Sequence, residues 1–321
     1  MRRLAAVLLT GVVLVSGCST EENPSDPLQL AATLEPATPA SSPAPSTAPT
    51  GSVVPSGAVD DVAVVGDRLA VALADPPSVA LYALAEMGAP KSVPLPGRVA
   101  RLVAVDDAVE AAVPSAGVVV TVKTDGSSSS RAVDGGPVDL ATVNGKTLVA
   151  QRDARQVRSG DREIGGISSP DRVLAVGRAA VVLDRPRSAV FDLDPDGEGP
   201  GAGLRAGEGA TNAVVDRFDR VWVVDTRGGE LLAFSAKPLI MRLRYPLPGA
   251  PYGLAYDAGR DLLWTTLTER NEVVAYDVSG GEPVEKRRVP TVRQPNSVAA
   301  DAQGRVYVGS GSGEGVQVIT S

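Results

Sequence analysis

Residues 211–266 read TNAVVDRFDRVWVVDTRGGELLAFSAKPLIMRLRYPLPGAPYGLAYDAGRDLLWTT, and they hold one repeat and the start of the next. Two later stretches resemble the opening TNAVVDRFDRVWVVD: PYGLAYDAGRDLLWTTL, which starts at Pro251, and PNSVAADAQGRVYVGS, which starts at Pro295. Each copy joins a short apolar run, a polar turn and an alternating strand that carries an aromatic residue. A unit of this size cannot bury its own apolar face, so we expect the repeats to pack against one another.

Similar units can be counted from about Ala58 to the end of the chain. Their first strands are predicted to begin at Val59, Val99, Pro137, Pro170, Thr211, Pro251 and Pro295. The spacing is about 40 residues, which is the period of a four-stranded propeller blade. Period-two runs alternate with Gly, Asp and Pro turns, and no long amphipathic helix interrupts them. The sequence therefore predicts an all-β, seven-bladed β-propeller over residues 58–321, with six or eight blades left open because the middle units are weakly marked.

The last unit contains only three strands before the chain ends at Ser321. A propeller must close its ring, or the last blade keeps an exposed edge. The segment from Gly51 to Pro55 precedes the first repeat, where a fourth strand precedes each later one. We therefore predict that this segment completes the final blade. The aromatic residues Trp222, Trp264 and Tyr307 occupy equivalent positions and are predicted to pack in the core.

The composition excludes several classes of function. The chain has 321 residues, a formal net charge of -7, no histidine and one cysteine. An acidic balance argues against nucleic-acid binding, which needs a basic face. Without histidine there is no Ser-His-Asp triad, and with one cysteine there is no structural disulfide and no Cys-rich zinc site. Any catalysis must use carboxylates, amides, hydroxyls, Lys, Arg or Tyr, so an enzyme is the less favoured reading.

The N-terminus predicts export. Arg2 and Arg3 precede an apolar run from Leu4 to Val15, which is too short to span a membrane. Residues 15–18, VSGC, resemble the bacterial lipobox. That resemblance implies a signal peptide over residues 1–17 and a lipidated Cys18 that anchors the protein on the outer face of the cytoplasmic membrane; an ordinary secretory signal is the alternative. Residues 18–57 are rich in Pro, Ser, Thr and Ala, so we expect a disordered tether.

The DRVWVVD and GRVYV units resemble NHL- and YVTN-type propellers, a class that includes the SMP-30/gluconolactonase-like fold. Together with the lipobox and the tether, the whole chain is similar to actinobacterial surface lipoproteins of the LppL type. Lactonases of the SMP-30 type hold a divalent metal with a Glu, two Asn and an Asp. The resemblance offers Asp171, Asn212 and Asn296 for that set. This chain has no Glu in the corresponding column, and Asp60 or Asp61 would have to take its place.

Polar residues recur where the innermost strands begin, and these positions converge on one mouth of the axial channel. We expect this mouth to bind a small polar ligand or a cation; a solvated ring of salt bridges is the alternative. The residues in this column are Asp60, Asp61, Arg101, Asp139, Asp171, Arg172, Asn212, Tyr252 and Asn296.

A second candidate site is the sequence DLDPDG from Asp192 to Gly197. Asp192, Asp194 and Asp196 match the first oxygen ligands of a calcium loop, although Gly203 stands where the final Glu should be. A polar turn between outer strands is the alternative. The only cofactor that the sequence suggests is thus a divalent cation such as calcium.

Three functions remain open from the sequence. The first is a membrane-anchored propeller that binds an envelope protein, a glycan or a small ligand, as a binding or scaffold protein. The second is a metal-dependent hydrolase or lactonase that uses the axial channel. The third is a structural role in envelope assembly. The first is favoured because the chain has no histidine and a single cysteine.

Overall fold

The computed structural model describes residue 28 and residues 34–320, and these form a seven-bladed β-propeller. Each blade is a four-stranded antiparallel sheet, and the innermost strand of each blade contacts those of both neighbours. The described residues contain a single helix, a 3-10 turn at Pro114–Ala116. The predictions of an all-β fold and of seven blades are confirmed, and none of the described segments is a helix long and apolar enough to cross a membrane.

The first strand, β1 (Ser52–Val54), precedes the first blade along the chain. Blade 1 is formed by β2 (Val59–Val65), β3 (Arg68–Ala74), β4 (Pro77–Ala83) and β5 (Lys91–Pro94). Blade 2 is formed by β6 (Arg101–Val105), β7 (Ala108–Val113), β8 (Val118–Lys123) and β9 (Ser128–Ala132). Blade 3 is formed by β10 (Pro137–Val143), β11 (Lys146–Gln151), β12 (Gln156–Ser159) and β13 (Arg162–Ile164).

Blade 4 is formed by β14 (Pro170–Val176), β15 (Ala179–Asp184), β16 (Ala189–Leu193) and β17 (Pro200–Arg205). Blade 5 is formed by β18 (Ala210–Val215), β19 (Arg220–Asp225), β20 (Glu230–Ala236) and β21 (Leu239–Pro246). Blade 6 is formed by β22 (Pro251–Asp257), β23 (Leu262–Leu267), β24 (Glu272–Asp277) and β25 (Val284–Pro290). Blade 7 is formed by β26 (Pro295–Ala300), β27 (Val306–Ser310), β28 (Val316–Ile319) and β1.

The ring is closed by β1, as predicted. This strand pairs antiparallel with β28 and aligns Ser52 with Val318 and Val54 with Val316. The Thr50 N–H donates to the Pro290 carbonyl at 3.1 Å, and the Gln317 amide donates to the Thr50 carbonyl at 2.7 Å. The N-terminal segment therefore covers the edge that the last blade would otherwise expose.

The apolar core lies between neighbouring blades. One cluster combines β-strands of blades 5 and 6 around Trp222, and another combines blades 6 and 7 around Trp264. Tyr307 belongs to the cluster that joins blade 7 to blade 1. All three aromatic side chains are buried, so the prediction that they pack in the core is confirmed. Because each blade has an apolar partner on both sides, the ring buries a surface that a single blade could not.

An Asp–Arg hairpin recurs between the first two strands of a blade. In blade 5, the Asp216 carboxylate accepts from the Arg220 Nε at 2.5 Å and from the Trp222 indole N–H at 2.8 Å. The Arg220 guanidinium also donates to the carbonyls of Val278 and Gly280 in blade 6. The polar turn of this repeat therefore orients the core aromatic residue and ties one blade to the next.

Blade 7 repeats this arrangement and ties it to blade 1. The Asp301 carboxylate accepts from the Arg305 Nε at 2.7 Å and from the Tyr307 hydroxyl at 2.8 Å. Arg305 then donates to the Leu84 carbonyl of blade 1 at 2.6 Å. Burial opposes ionisation of Asp301, but the hydrogen bonds from Tyr307 and Arg305 together hold its pKa below the ordinary value.

The structure differs from the sequence-based expectation between residues 34 and 50. That stretch was expected to be part of a disordered tether, but residues 37–43 lie across the loops of blades 4 to 7, and we call them the strap. Within the strap, Ala37 and Ser42 are buried. The strap packs because polar side chains of these loops satisfy its backbone groups, which its composition alone does not reveal. The predicted signal peptide and Cys18 lie outside the described residues.

Candidate functional site

The axial channel opens on the face where the innermost strands begin, which we call the mouth face. A cavity of about 90 Å³ lies there and is lined mainly by polar side chains. The structure brings together six of the seven predicted binding residues around it, namely Asp61, Arg101, Asp171, Asn212, Tyr252 and Asn296. The seventh, Asp139, is buried next to this cavity and contacts Arg172, which lines it. Pockets for drug-sized ligands have volumes of about 300–1,000 Å³, so this cavity suits a small polar group.

Arg–Asp pairs join adjacent blades at the mouth. Arg101 of blade 2 lies 3.5 Å from Asp61 of blade 1. The Arg172 Nε of blade 4 lies 2.8 Å from the Asp139 Oδ2 of blade 3. In the opposite direction, the Arg152 Nε of blade 3 lies 2.8 Å from the Asp171 Oδ1 of blade 4. Both charge signs therefore occur at the mouth, as the sequence indicated, and these pairs join blade 1 to blade 2 and blade 3 to blade 4.

Two of these carboxylates, those of Asp61 and Asp139, also accept backbone hydrogen bonds from the next blade. Asp61 accepts from the Leu102 N–H at 2.9 Å, and Asp139 accepts from the Val173 N–H at 3.0 Å. The equivalent positions of blades 1 and 3 thus use a carboxylate to hold the innermost strand of the following blade. These two aspartates have a structural role in addition to any contact with a ligand.

A hydrogen-bonded chain crosses four blades. The Arg172 guanidinium contacts Asp139 and donates through Nη1 to the Asn212 Oδ1 at 3.1 Å. The Asn212 Nδ2 then donates to the Tyr252 carbonyl at 2.9 Å. Because Arg172 and Asn212 each have hydrogen-bond partners on both sides, these two side chains are held in one arrangement.

Burial changes the ionisation of two groups beside the mouth. Burial, together with the nearby charge of Arg101, lowers the pKa of Arg172, while Asp139 and Asp61 act in the opposite direction. Burial also raises the pKa of Asp184 to about 6, although backbone hydrogen bonds from Arg187 and Ser169 favour its charged form. Asp184 directly precedes Arg185, which lines the mouth cavity.

A second cavity of about 350 Å³ follows the channel along the innermost strands of blades 2 to 5. Its walls are mostly apolar and include Val103, Ala141 and Val215. Arg101 and Arg172 line both cavities. The paired arginines therefore form a charged layer between a small polar mouth and a wider apolar channel.

The sequence analysis missed Arg152 and Arg185, which both line the mouth cavity. Each follows immediately after the second strand of its blade, β11 or β15. The Arg185 N–H donates to the Asp171 Oδ2 at 3.0 Å. Because the first two strands of a blade pair antiparallel, the second strand ends at the mouth, where the first begins. An arginine directly after a second strand was therefore the sequence feature that could have pointed to these two residues.

The oxygens offered for a lactonase-like metal site are already occupied by donors. Asp171 accepts from Arg152 and from the Arg185 N–H, and the Asn212 Oδ1 accepts from Arg172. The Asn296 Oδ1 accepts from the Gln294 amide at 3.0 Å. Guanidinium groups thus stand where a cation would have to bind, which is electrostatically unfavourable for metal binding.

The three aspartates of the calcium-like sequence have different partners. Asp192 lies 2.8 Å from the Lys237 ammonium, Asp196 pairs with Lys146, and Asp194 accepts from the Asp196 N–H at 3.0 Å. Across residue 28 and residues 34–320, no three carboxylate, histidine or cysteine side chains converge closely enough to hold a metal ion. The structure therefore does not bring Asp192, Asp194 and Asp196 to a common point.

Comparison with known proteins supports the fold and not a particular activity. No protein-family model matches this sequence, and no curated protein matches it. Virginiamycin B lyase from Staphylococcus aureus is similar in structure, with a TM-score of 0.67 and 14% identity over 83% of this chain and 96% of that chain. Hydrazine synthase from Kuenenia stuttgartiensis has a TM-score of 0.71 and 14% identity over 85% of this chain and 98% of that chain.

A chain of a mitotic checkpoint complex is equally similar, with a TM-score of 0.69 and 14% identity over 91% of this chain and 98% of that chain. These neighbours differ widely in function. At such low identities the likeness shows a shared propeller architecture alone. The function must therefore be argued from the mouth itself.

Proposed function

We propose that this protein is a lipid-anchored propeller of the cell envelope that binds a polar group of a partner or ligand at the channel mouth. The observation that carries the proposal is the mouth cavity itself, where polar side chains from several blades converge in a fixed network. Propeller rings hold such residues rigidly, so little ordering is required when a ligand binds. The anchor rests on the lipobox-like sequence that ends at Cys18.

A binding role fits the mouth better than metal-dependent hydrolysis. A hydrolase of that type needs free oxygens around a cation, and here arginines engage the oxygens of Asp171 and Asn212. Lyase chemistry is also disfavoured. A catalytically inactive virginiamycin B lyase, bound to quinupristin, carries a histidine-to-alanine replacement, and this chain contains no histidine.

Capture from detergent-solubilised envelope tests the binding role. We would immobilise the full-length wild type and the Tyr252→Ala variant, which alters the mouth but keeps the backbone carbonyl that Asn212 contacts. Arg131→Ala is the matched control, because Arg131 lies on the outer strand β9. A partner retained by the wild type and the control, and lost from Tyr252→Ala, is the expected result. Equal retention by all three would contradict a binding role of the mouth.

The anchor is tested separately with the Cys18→Ala variant. We expect the wild type to incorporate labelled palmitate and to remain with the membrane fraction, because two or three acyl chains give stable anchoring. The variant should lose the label and leave that fraction. A wild type that takes up no label would refute the lipid anchor without affecting the conclusion about the mouth.

A further inference from the structure

The strap is bound on the mouth face through its backbone. Arg185 donates to the Ala37 carbonyl at 2.5 Å, and the Gln294 amide donates to the Ala40 carbonyl at 2.9 Å. Asn271 donates to the Pro43 carbonyl at 2.9 Å. The three carbonyls are separated by three residues each, which is the repeat of a polyproline II helix. The strap also forms no regular secondary structure of its own.

Gln294 contacts the strap on both sides of its amide group. Its Oε1 accepts from the Ser42 N–H at 3.1 Å, while its Nε2 donates to Ala40. The Gln294 N–H in turn donates to the Ser42 Oγ at 3.1 Å. A side-chain amide that pairs with the donors and acceptors of an extended segment recognises backbone conformation rather than a particular sequence.

Two positions add selectivity for small side chains. The Ser42 hydroxyl donates to the Thr268 carbonyl at 2.6 Å, and this side chain is 3% exposed. Ala37 packs on Gly209, where an added Cβ would lie 2.8 Å from the Ala37 Cβ. The groove formed by the loops around Arg185, Gly209, Asn271 and Gln294 therefore admits small residues at two fixed places in an extended chain.

We propose that this groove is a binding site for extended proline-, alanine- and serine-rich segments of a partner polypeptide, and that the strap fills it in the isolated chain. The inference extends the proposed binding role of the mouth face by naming a class of partner. The physical basis is that side chains of the groove donate hydrogen bonds to backbone carbonyls at polyproline II spacing, and that the groove encloses two small side chains. A partner segment with the same pattern satisfies the same donors when the strap leaves.

The groove and the mouth share Arg185, and Gln294 of the groove contacts a mouth residue, so a bound segment lies beside the channel. Arg185 lines the mouth cavity and holds Ala37. Gln294 holds Ala40 and also donates to Asn296, another lining residue. A partner segment in the groove therefore lies next to any group of the same partner that enters the mouth.

The test uses the full chain with its strap displaced. The Ala37→Lys/Ser42→Lys variant places bulk and positive charge at two buried positions, close to Arg185 and to Arg293, whose Nε lies 3.4 Å from the Ser42 carbonyl. The probe is a fluorescent peptide that carries residues 34–47 in their natural sequence. Fluorescence anisotropy measures its binding to the wild type, to the strap variant and to the strap variant that also carries Gln294→Ala.

We expect saturable binding of the peptide to the strap variant. Binding to the wild type should be at least about tenfold weaker, because its own strap competes at an effective concentration in the millimolar range. Gln294→Ala should weaken binding to the strap variant by about tenfold or more, since it removes both amide contacts. A peptide that itself carries the two lysine substitutions should not bind.

The inference is overturned if a folded strap variant, judged by circular dichroism and its melting temperature, binds no peptide up to about 1 mM. Equal binding to all three proteins would overturn it as well, because that indicates non-specific adsorption. If the double variant does not fold, the single variant Ser42→Lys provides the same comparison. A negative result leaves the envelope-capture test intact, since that test is made with the strap in place.

Discussion

Replacing Arg172 with methionine should destabilise the propeller strongly, although the side-chain length is nearly kept. The Arg172 guanidinium lies 2.8 Å from the Asp139 carboxylate, whose side chain is 2% exposed. After the change, the Val173 N–H is the hydrogen-bond donor that remains to Asp139 among the described residues. Removing one partner of a buried ion pair leaves an uncompensated charge and costs about 3–5 kcal/mol. The loss of the Arg172 hydrogen bond to Asn212 acts in the same direction.

The double variant Asp139→Leu/Arg172→Met is the informative control. Replacing both members of a buried pair with apolar residues is often neutral or stabilising, because neither charge then has to be desolvated. We expect this variant to be clearly more stable than Arg172→Met, but to stay about 1–3 kcal/mol below the wild type, because the Val173 N–H and the Asn212 Oδ1 lose their partners. The Asp139→Leu single variant completes the cycle and isolates the coupling energy between the two side chains.

Urea unfolding followed by tryptophan fluorescence measures the effect, since Trp222 and Trp264 are both buried. For a domain of this size, a loss of about 3–5 kcal/mol corresponds to a fall in melting temperature of about 6–20 °C. The reasoning is refuted if Arg172→Met stays within about 1 kcal/mol of the wild type. It is also refuted if the double variant is as unstable as the sum of the two single variants, because the pair would then have no coupling.

Three further predictions follow from the hairpin, the mouth and the closure. Asp301→Asn should lower the free energy of unfolding by about 3 kcal/mol, because it removes the acceptor shared by Arg305 and Tyr307. A change below about 1 kcal/mol in urea unfolding would contradict this prediction. Asp184 has a folded-state pKa raised from 3.8 to about 6, so its protonation favours the fold. The free energy of unfolding of the wild type should rise by up to about 3 kcal/mol relative to that of Asp184→Asn as the pH falls from about 7 to 4. If the stability of both proteins changes with pH in the same way, Asp184 does not have this effect. Val53→Asp should weaken the pairing of β1 with β28, reduce stability by about 1–3 kcal/mol and promote association through the freed edge, which size-exclusion chromatography would detect.

The repeat units show how far local pattern predicts this structure. The first strands of blades 1, 3, 4, 6 and 7 begin at the predicted residues Val59, Pro137, Pro170, Pro251 and Pro295. In blades 2 and 5 they begin at Arg101 and Ala210, within two residues of the predicted starts. Strand alternation and turn residues are local signals, so they survive even in the weakly marked middle blades.

Local sequence pattern also predicted some of the residues that meet at the mouth. Asp61 and Asn212 occupy equivalent positions of their blades, and Asn296 lies one residue nearer the start of its strand. Their convergence at the mouth therefore follows from the fold class. Arg152 and Arg185 belong to loops between second and third strands, where polar residues are ordinary. Strand pairing places these two loops at the mouth, but the contacts of Arg152 and Arg185 with Asp171 are seen only in the tertiary structure.

By itself, the sequence predicted a closed ring of about seven β-sheets with a polar mouth, because a period of about 40 residues and the alternation within each unit are encoded locally. The structure fixed the number at seven. Only the tertiary structure decided which charges pair across blades and that the strap is bound. The strap contacts join Ser42 to Thr268 and Gln294, more than 220 residues away along the chain. Such contacts exist only after the ring has formed, since the groove is assembled from loops of separate blades.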